Sequence, residues 1–553
     1  MKITGSDILV ETLIEQDTEV VFGYPGGQVL NIYDSLYLKS DRIKHVITAH
    51  EQGASHAADG YARATGKVGV VIATSGPGAT NLVTGLATAM LDSVPMVAIT
   101  GNVPCNLLGR DSFQEVDIVG ITIPVTKHNF MVTKTEDLAD TVRQAFKIAK
   151  SGRPGPVLVD IPKDVQIKMA EYEPIPVVAP FEMPKADDEL IEKAAQMIAE
   201  SKKPYIYCGG GVISAGAEAE LQALCEKIDA PVGCSIMGMT AIPGSNPRKL
   251  GMTGMHGHYV ASKAKNDADL VITLGARFSD RATGNVSKFC KGAKLIHIDV
   301  DAAELGKNVT VDLGIRGDVK DALARIIAKV AEKKNPEWWE EIAKIKEFVA
   351  QNEAKQIGSL TPYDVIETVN SYLNADSPVA TDVGQHQMWT AQKYNFENPR
   401  TFMTSGGLGT MGYGMGAAIG ACVATGKKTV LFTGDGSFGM NLNEMTTAVS
   451  QKLPLIVVVL NNGVLGMVRQ WQAAFYNHHF SETTLNRKTD FPALARAFGA
   501  AGYSVETLDE LNMAMKMAMK NEGPVLIDCA IDMDERVLPM IPPGGAIENM
   551  ILS

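Results

Sequence analysis

The sequence predicts an α/β fold in three domains, each a mostly parallel sheet flanked by helices, and three observations point to it. Short Val- and Ile-rich runs recur at 68–74, 94–100, 205–208, 270–274, 295–300, 429–433 and 455–460, separated by stretches of helical periodicity. Runs that are apolar on both faces belong to parallel strands covered by helices on either side. Residues 173–187 carry Pro174, Pro176, Pro180 and Pro184 and end in Asp187-Asp188 before a new helical pattern, which reads as a crossing between domains. A charged, helix-forming run at 331–360 closes on Ser359-Leu360-Thr361-Pro362, a helix-start signal. The domains expected are therefore 1–173, 185–345 and 360–553. The third observation is an internal echo. One strand passes into Ser75-Gly76-Pro77-Gly78 and another into Gly434-Asp435-Gly436-Ser437; each loop is followed by a helical stretch and, twenty residues from its first residue, by Pro95 or Pro454 before the next strand. Equal spacing favours a duplicated outer domain. Only the second copy carries an acid in its loop.

With 553 residues the chain exceeds what one hydrophobic core supports, and 45% apolar with 21% charged residues is the composition of a globular protein. A net charge of -12 leaves no basic face to replace the counterions of nucleic acid, and no apolar stretch reaches the length of a membrane span, so small metabolites are the expected partners. The seven cysteines are scattered without a C-x-x-C pair, which argues against a disulfide framework or a zinc site and for a reducing compartment. A helical pattern begins at once after Met1, with no room for a leader, so a cytoplasmic location is expected.

The loop at 434–439 satisfies G-x-G-x-x-G after a strand and before a helix, the pattern of a dinucleotide site. Asp435 contradicts that reading, because a carboxylate repels a pyrophosphate at close range unless a cation lies between them. The next strand also ends in Asn461-Asn462 rather than in an acid for a ribose. Both features suit a diphosphate held through Mg²⁺, which prefers a carboxylate or two with other oxygen ligands and substrate phosphates. A G-D-G followed after about two dozen residues by N-N resembles the thiamine diphosphate motif. A second glycine-rich run, 407–412, follows no clear strand and by itself reads as a turn.

The wider resemblance rests on Tyr24-Pro25-Gly26-Gly27, His50-Glu51-Gln52-Gly53-Ala54, Ser75-Gly76-Pro77-Gly78, Ser112-Phe113-Gln114-Glu115, Gly152-Arg153-Pro154-Gly155-Pro156, Gly254-Met255-His256-Gly257, Gly275-Ala276-Arg277-Phe278 and Gly466-Met467-Val468-Arg469-Gln470-Trp471. Along nearly its whole length the chain resembles the large catalytic subunit of biosynthetic acetolactate (acetohydroxyacid) synthase, a thiamine-diphosphate-dependent family.

That resemblance implies particular roles. Glu51, otherwise read as a surface acid or a buried carboxylate in need of a partner, would bond the cofactor's pyrimidine ring. Pro25, Gly384, Gln385, His386, Gly409, Met411, Gly434, Gly436, Ser437, Gly466 and Met467 would also hold thiamine diphosphate, with Met411 wedged beneath it rather than merely filling the core. Mg²⁺ would take Asp435, Asn462 and the backbone carbonyl of Val464. Arg281 would clamp the carboxylate of the second substrate, for which a guanidinium fork is suited. Trp471 would touch the extra methyl of 2-ketobutyrate, and Gly27, Phe113, Gln114 and Lys163 would complete the catalytic set. In the central domain, Gly209-Gly210-Gly211 and Asp299 read either as bland turns or as a nucleotide site. The resemblance implies FAD there in a non-redox role, held by Arg153, Gly209, Gly210, Gly211, Gly254, Met255, His256, Gly275, Arg277, Asp280, Arg281, Asp299 and Asp318. For Arg277, a surface ion pair is an equal alternative.

The implied reaction is decarboxylation of pyruvate and condensation of the two-carbon unit with a second pyruvate, giving 2-acetolactate, or with 2-ketobutyrate, giving 2-aceto-2-hydroxybutyrate, the first common step of branched-chain amino acid synthesis. A homodimer or tetramer with sites between subunits and a small regulatory subunit are implied with it. Ser279, Gln28 and Met415-Gly416 depart from the usual pattern without removing a catalytic group. A pyruvate decarboxylase or oxidase, sharing the cofactor but not the acceptor, is the alternative; a non-catalytic nucleotide-binding protein is a more distant one.

Overall fold

The computed structural model describes residues 1–352 and 357–552. Within the charged run at 331–360, a helix occupies Pro336–Asn352, while 353–356 lie outside the described residues, as does the final residue of the segment 360–553.

The strands, in chain order, are β1 (Lys2–Thr4), β2 (Val20–Tyr24), β3 (Lys44–Ile47), β4 (Gly69–Ala73), β5 (Met96–Asn102), β6 (His128–Met131), β7 (Pro156–Pro162), β8 (Met169–Glu171), β9 (Pro204–Cys208), β10 (Val232–Cys234), β11 (Lys249–Met252), β12 (Leu270–Leu274), β13 (Lys294–Asp299), β14 (Leu313–Arg316), β15 (Val379–Thr381), β16 (Phe402–Met403), β17 (Thr429–Gly434), β18 (Leu455–Asn461), β19 (Ala501–Val505) and β20 (Val525–Ala530). Apart from the antiparallel pair β1–β8, they form three six-stranded sheets in which every pairing is parallel. The central strands of each sheet are wholly buried, as at Val70, Val71, Ile72, Ile272, Val457 and Val458. Burying each such side chain contributes roughly 1.5–3 kcal/mol, which is why the apolar runs marked the strands so closely.

Sheet order carries the functional geometry. The outer sheets run β3-β2-β4-β5-β7-β6 and β16-β15-β17-β18-β20-β19, the same succession of second, first, third, fourth, sixth and fifth strand. The echo between the loops at 75 and 434 thus has a topological counterpart. The central sheet runs β11-β10-β9-β12-β13-β14, the order of dinucleotide-binding folds. In each sheet the succession reverses between two neighbours: β2 and β4, β9 and β12, β15 and β17. Loops leaving such a pair diverge and leave a crevice beyond the strand ends, where α/β proteins bind ligands.

The outer domains touch directly. The helix Glu51–Thr65 crosses the helix Tyr413–Thr425 with glycines at the crossing: a methyl group on Gly420 would lie 1.9 Å from the Ala57 carbonyl oxygen, and one on Gly60 2.1 Å from that of Ala417. Because backbone meets backbone, neither side can yield. Gly420→Ala is therefore expected to lower unfolding stability by about 1–3 kcal/mol, read as a shift of the denaturant midpoint at unchanged slope. Among the described residues no helix is long and apolar enough to cross a membrane.

Candidate active site

At the first crevice, the loops after β2 and β4 are joined through Thr74, whose hydroxyl accepts from the Gln28 backbone N–H at 3.2 Å. Pro25 is half-buried and Gly27 exposed, and the Gly27 carbonyl accepts from Lys163 Nζ at 3.0 Å, so Gly27 and Lys163 meet. Glu51 opens the helix Glu51–Thr65, capped by His50 Nδ1, which accepts from the Gln52 N–H at 3.1 Å. One Glu51 oxygen accepts from Asn81 Nδ2 at 3.0 Å, the partner a half-buried carboxylate requires. Gly78 brings the loop after β4 to the other Glu51 oxygen, and the Gln114 backbone packs on Gly76 of that loop. Phe113 projects outward, 86% exposed. Glu51, Gly27, Gln114 and Lys163 thus share one end of the first sheet.

In the third domain the chain reverses between β15 and β17, and β18 lies beside β17 in parallel with Gly434 opposite Leu460. Asp435 leaves β17 and Asn462 leaves β18, so the two metal candidates stand on adjacent strand ends. Asp435 is buried, and burial, reinforced by Asp528 and opposed by Arg487, pushes its carboxyl up to about 6. Asn462 Oδ1 accepts from the Val464 N–H at 3.2 Å, and its amide donates to Gln385 Oε1 at 3.3 Å. An amide oxygen has a second lone pair, so Oδ1 keeps acceptor capacity. Among the described residues no three His, Cys, Asp or Glu side chains cluster as a metal site. The donors here are of another kind, one carboxylate and one amide oxygen beside the buried Val464, a set that suits Mg²⁺ completed by diphosphate oxygens.

His386 follows Gly384 and Gln385 and lies close to Gly434. Burial pushes its imidazole down to about 3, so it is neutral, and its Nε2 is buried without a partner. A buried ring nitrogen without a partner is costly, so this point suits a polar ligand atom. Ser437 Oγ donates to the Val383 carbonyl at 3.2 Å, while Gly436 and Gly466 pack closely on Leu465 and Gln385. The segment 406–412 follows the short strand β16, a strand too brief to be legible in the sequence. Gly409 there adopts φ +73°, a conformation glycine takes without strain, and Met411 is half-buried.

The central crevice opens into a cavity of about 1400 Å³ between the three domains. It exceeds the 300–1,000 Å³ typical of small-ligand sites and can hold a dinucleotide. Its lining includes Arg153, Gly210, Gly211, Met255, His256, Gly275, Arg277, Asp280, Arg281, Asp299 and Asp318 from the expected flavin set, and Gly384, Gly409, Met467 and Trp471 from the third domain. Arg277 also lies on this wall and forms no ion pair among the described residues. His256 Nδ1 is buried and unpartnered, with its imidazole held down to about 4 by burial and then by Arg281. Asp299 is buried and pushed up to about 6 by burial and by the neighbouring Asp301 and Glu304. An orphaned ring nitrogen and the carboxylates of Asp280, Asp299 and Asp318 on a roomy wall fit a nucleotide.

Two glycines of the expected flavin set lie against the chain itself. A methyl group on Gly209 would lie 2.3 Å from the Gly275 carbonyl oxygen, so the chain itself packs on this glycine. Gly254 is likewise turned to the protein, 2.5 Å by the same measure from the Arg281 carbonyl.

Arg281 and Trp471, from different domains, come together. The guanidinium lies 5.7 Å from the indole ring centre and its Nη1 3.6 Å from Met255 Sδ. The Met255 N–H also donates to the Arg281 carbonyl at 2.8 Å, which fixes the loop's backbone. Arg153 is already engaged, with Ser93 Oγ at 2.8 Å and Glu304 Oε1 at 3.0 Å, and so ties the first domain to the second. No hydrogen bond or ion pair among the described residues joins Glu51, Gly27, Phe113, Gln114 or Lys163 to the third-domain set, and none of the five lines the cavity.

Sequence reasoning missed Asn81, Asp382 and Glu444. Glu444 is fully buried, and its carboxylate accepts from the Ala49 and His50 N–H groups at 3.0–3.2 Å, fixing the entry to the Glu51 helix. The Asp382 carboxylate accepts from the Gly412 N–H at 2.7 Å. Glu444 and Asp382 act on backbone, and Asn81 on the Glu51 side chain, each distant in the chain, and no local pattern announces them.

Comparison with known proteins agrees with this geometry. Residues 3–121 match the family described as thiamine pyrophosphate enzyme, N-terminal TPP binding domain; residues 191–326 match its central domain, and 382–529 its C-terminal TPP binding domain. The chain is 46% identical to the acetolactate synthase large subunit of Corynebacterium glutamicum over 99% of its own length and 89% of that protein's. It is 44% identical to the isozyme 1 large subunit of Escherichia coli and 42% identical to the large subunit of Buchnera aphidicola from Schizaphis graminum, in each case over 100% of this chain and 98% of the relative.

Proposed function

Since the chain belongs to the acetolactate synthase large subunits of the thiamine pyrophosphate enzyme family, we propose how its residues divide the work of that reaction. The activity is that of an acetolactate synthase: two keto acids enter, CO₂ leaves, and a new carbon–carbon bond joins the two-carbon remainder to the keto carbon of the acceptor, pyruvate or 2-ketobutyrate. Thiamine diphosphate, when bound, supplies the carbon nucleophile and electron sink that no side chain offers.

Asp435, Asn462 and the Val464 carbonyl would hold Mg²⁺, with His386 and Ser437 beside the diphosphate. Gly409 and Met411 would shape the cofactor's middle. Glu51, steadied by Asn81, would hold and return a proton at a pyrimidine nitrogen. Because its cluster shares no hydrogen bond with the metal set of the same chain, the reading pairs Glu51 of one copy with Asp435 of a second, making a homodimer the smallest active unit and a tetramer an allowed assembly. FAD would fill the central cavity and serve structure rather than electron transfer. Gly27, Phe113, Gln114 and Lys163 would close the substrate side. A small regulatory subunit is proposed from the large-subunit names of the relatives, and a cytoplasmic location from the reducing compartment that the cysteines suggest.

The observation that carries the acceptor assignment is Arg281 over Trp471 in the cavity that reaches Gly384, Gly409 and Met467. A guanidinium fork can grip a carboxylate through two bonds, and the indole beside it offers an apolar contact for one extra methyl. Trp471→Leu is expected to lower the preference for 2-ketobutyrate over pyruvate by about tenfold or more, as one methyl contact is worth about 1–3 kcal/mol. Competition between the two acceptors, with both products quantified, measures it.

The test of the whole reading is an assay of purified protein with pyruvate, Mg²⁺ and thiamine diphosphate. Acetolactate is the expected product; acetaldehyde or acetyl phosphate in its place would overturn the assignment in favour of a decarboxylase or oxidase.

A further inference from the structure

We propose that Asp59, Arg63 and Asp92 form a buried ionic cradle that presets the glycine-rich segment 406–412 and so raises the affinity for thiamine diphosphate; this rests on the roles given above to Gly409 and Met411. Asp92 ends the helix Val83–Asp92 with its side chain wholly buried. Its Oδ1 accepts from the Gly407 N–H at 2.7 Å, and its Oδ2 from the Gly406 N–H at 3.1 Å and from Arg63 Nη2 at 2.9 Å. The Arg63 Nε donates to Asp59 Oδ1 at 2.6 Å, and that same oxygen accepts from the Tyr413 hydroxyl at 2.6 Å. The guanidinium also stands 5.6 Å from the centre of the Tyr413 ring. Tyr413 is the first residue of the helix that follows the segment. Midway along it, the hydroxyls of Thr88 and Thr410 lie 2.7 Å apart.

Both ends of the segment are thus fastened to one triad on the first domain. The guanidinium, the two glycine N–H groups and the tyrosine hydroxyl together satisfy oxygens of the two buried carboxylate side chains. Four of the seven residues at 406–412 are glycines, so the free segment would visit many conformations and would have to be ordered by the cofactor. Ordering it beforehand removes that cost from binding. Asp59, Arg63 and Asp92 touch no reacting group and are positioning residues.

The test is isothermal titration of thiamine diphosphate at saturating Mg²⁺ into the full chain, as wild type, Asp92→Asn and Tyr413→Phe, with the thermal midpoint of each protein taken without cofactor. The asparagine amide would set N–H donors against the Gly406 N–H and Arg63, so Asp92→Asn should weaken binding about tenfold or more. Tyr413→Phe, which removes one neutral donor, should weaken it about threefold. If Asp92→Asn does not fold, Tyr413→Phe decides alone. Wild-type affinity in the folded variants, even with a lowered midpoint, would assign the triad to folding only and overturn the proposal. A wild-type protein that binds no thiamine diphosphate would instead overturn the parent reading, and this one with it.

Discussion

Glu51→Gln is expected to lower turnover of pyruvate by about 10²–10⁴-fold, the usual contribution of a positioned proton-transfer group, while thiamine diphosphate still binds within about threefold of wild type. The separation follows from the surroundings. The helix entry at 49–51 is fixed by Glu444 and by the His50 cap, neither of which involves the Glu51 side chain. Glutamine has the same length and can turn its carbonyl oxygen to Asn81, keeping the one hydrogen bond the carboxylate makes there. What disappears is the ability to carry a proton. Steady-state kinetics with pyruvate, beside a calorimetric titration of the cofactor, reads both quantities, and normal turnover would remove Glu51 from its role.

Asp435→Asn is expected to weaken Mg²⁺ binding by about two orders of magnitude or more, because a buried cation would lose its one anionic side-chain ligand. The pH dependence has a definite sign. The folded value of about 6 lies above the ordinary 3.8, so the cation-free protein holds the proton more tightly folded than unfolded. The stability due to this group is therefore full below about pH 4 and lost as pH rises through about 6. Cation binding runs the other way, since the ligand must be ionised: it should weaken by about tenfold for each pH unit below about 6 and level off above. Mg²⁺ titrations at about pH 5 and about pH 7.5 should differ for the wild type and coincide for the asparagine variant.

The sheets were legible because burial on both faces imposes an unbroken apolar run, as at Val70–Val71–Ile72 in β4 and Val457–Val458–Val459 in β18. Asp435 stood out in the sequence for an electrostatic reason, an acid where a pyrophosphate alone would be repelled. The strand order at the three crevices was not, since nothing in a strand names its neighbour. Gly209 shows the limit of a glycine pattern: close approach of the chain to itself, seen here against Gly275, and close approach to a phosphate demand the same missing side chain. Glu444 was silent in the sequence because it acts on backbone N–H groups 394 and 395 residues away, where the partner's identity leaves no trace. That Arg281 stands beside Trp471 emerged only where two domains close on one cavity.

The most direct measurement is subunit complementation. Glu51→Gln and Asp435→Asn chains, each inactive alone, are unfolded and refolded together in equal amounts. If each site takes Glu51 from one chain and Asp435 from its partner, half of the dimers are mixed and each mixed dimer has one intact site, so about a quarter of wild-type acetolactate formation returns. If mixed dimers form and no activity returns, both residues serve a site within one chain, and the two-chain reading is wrong.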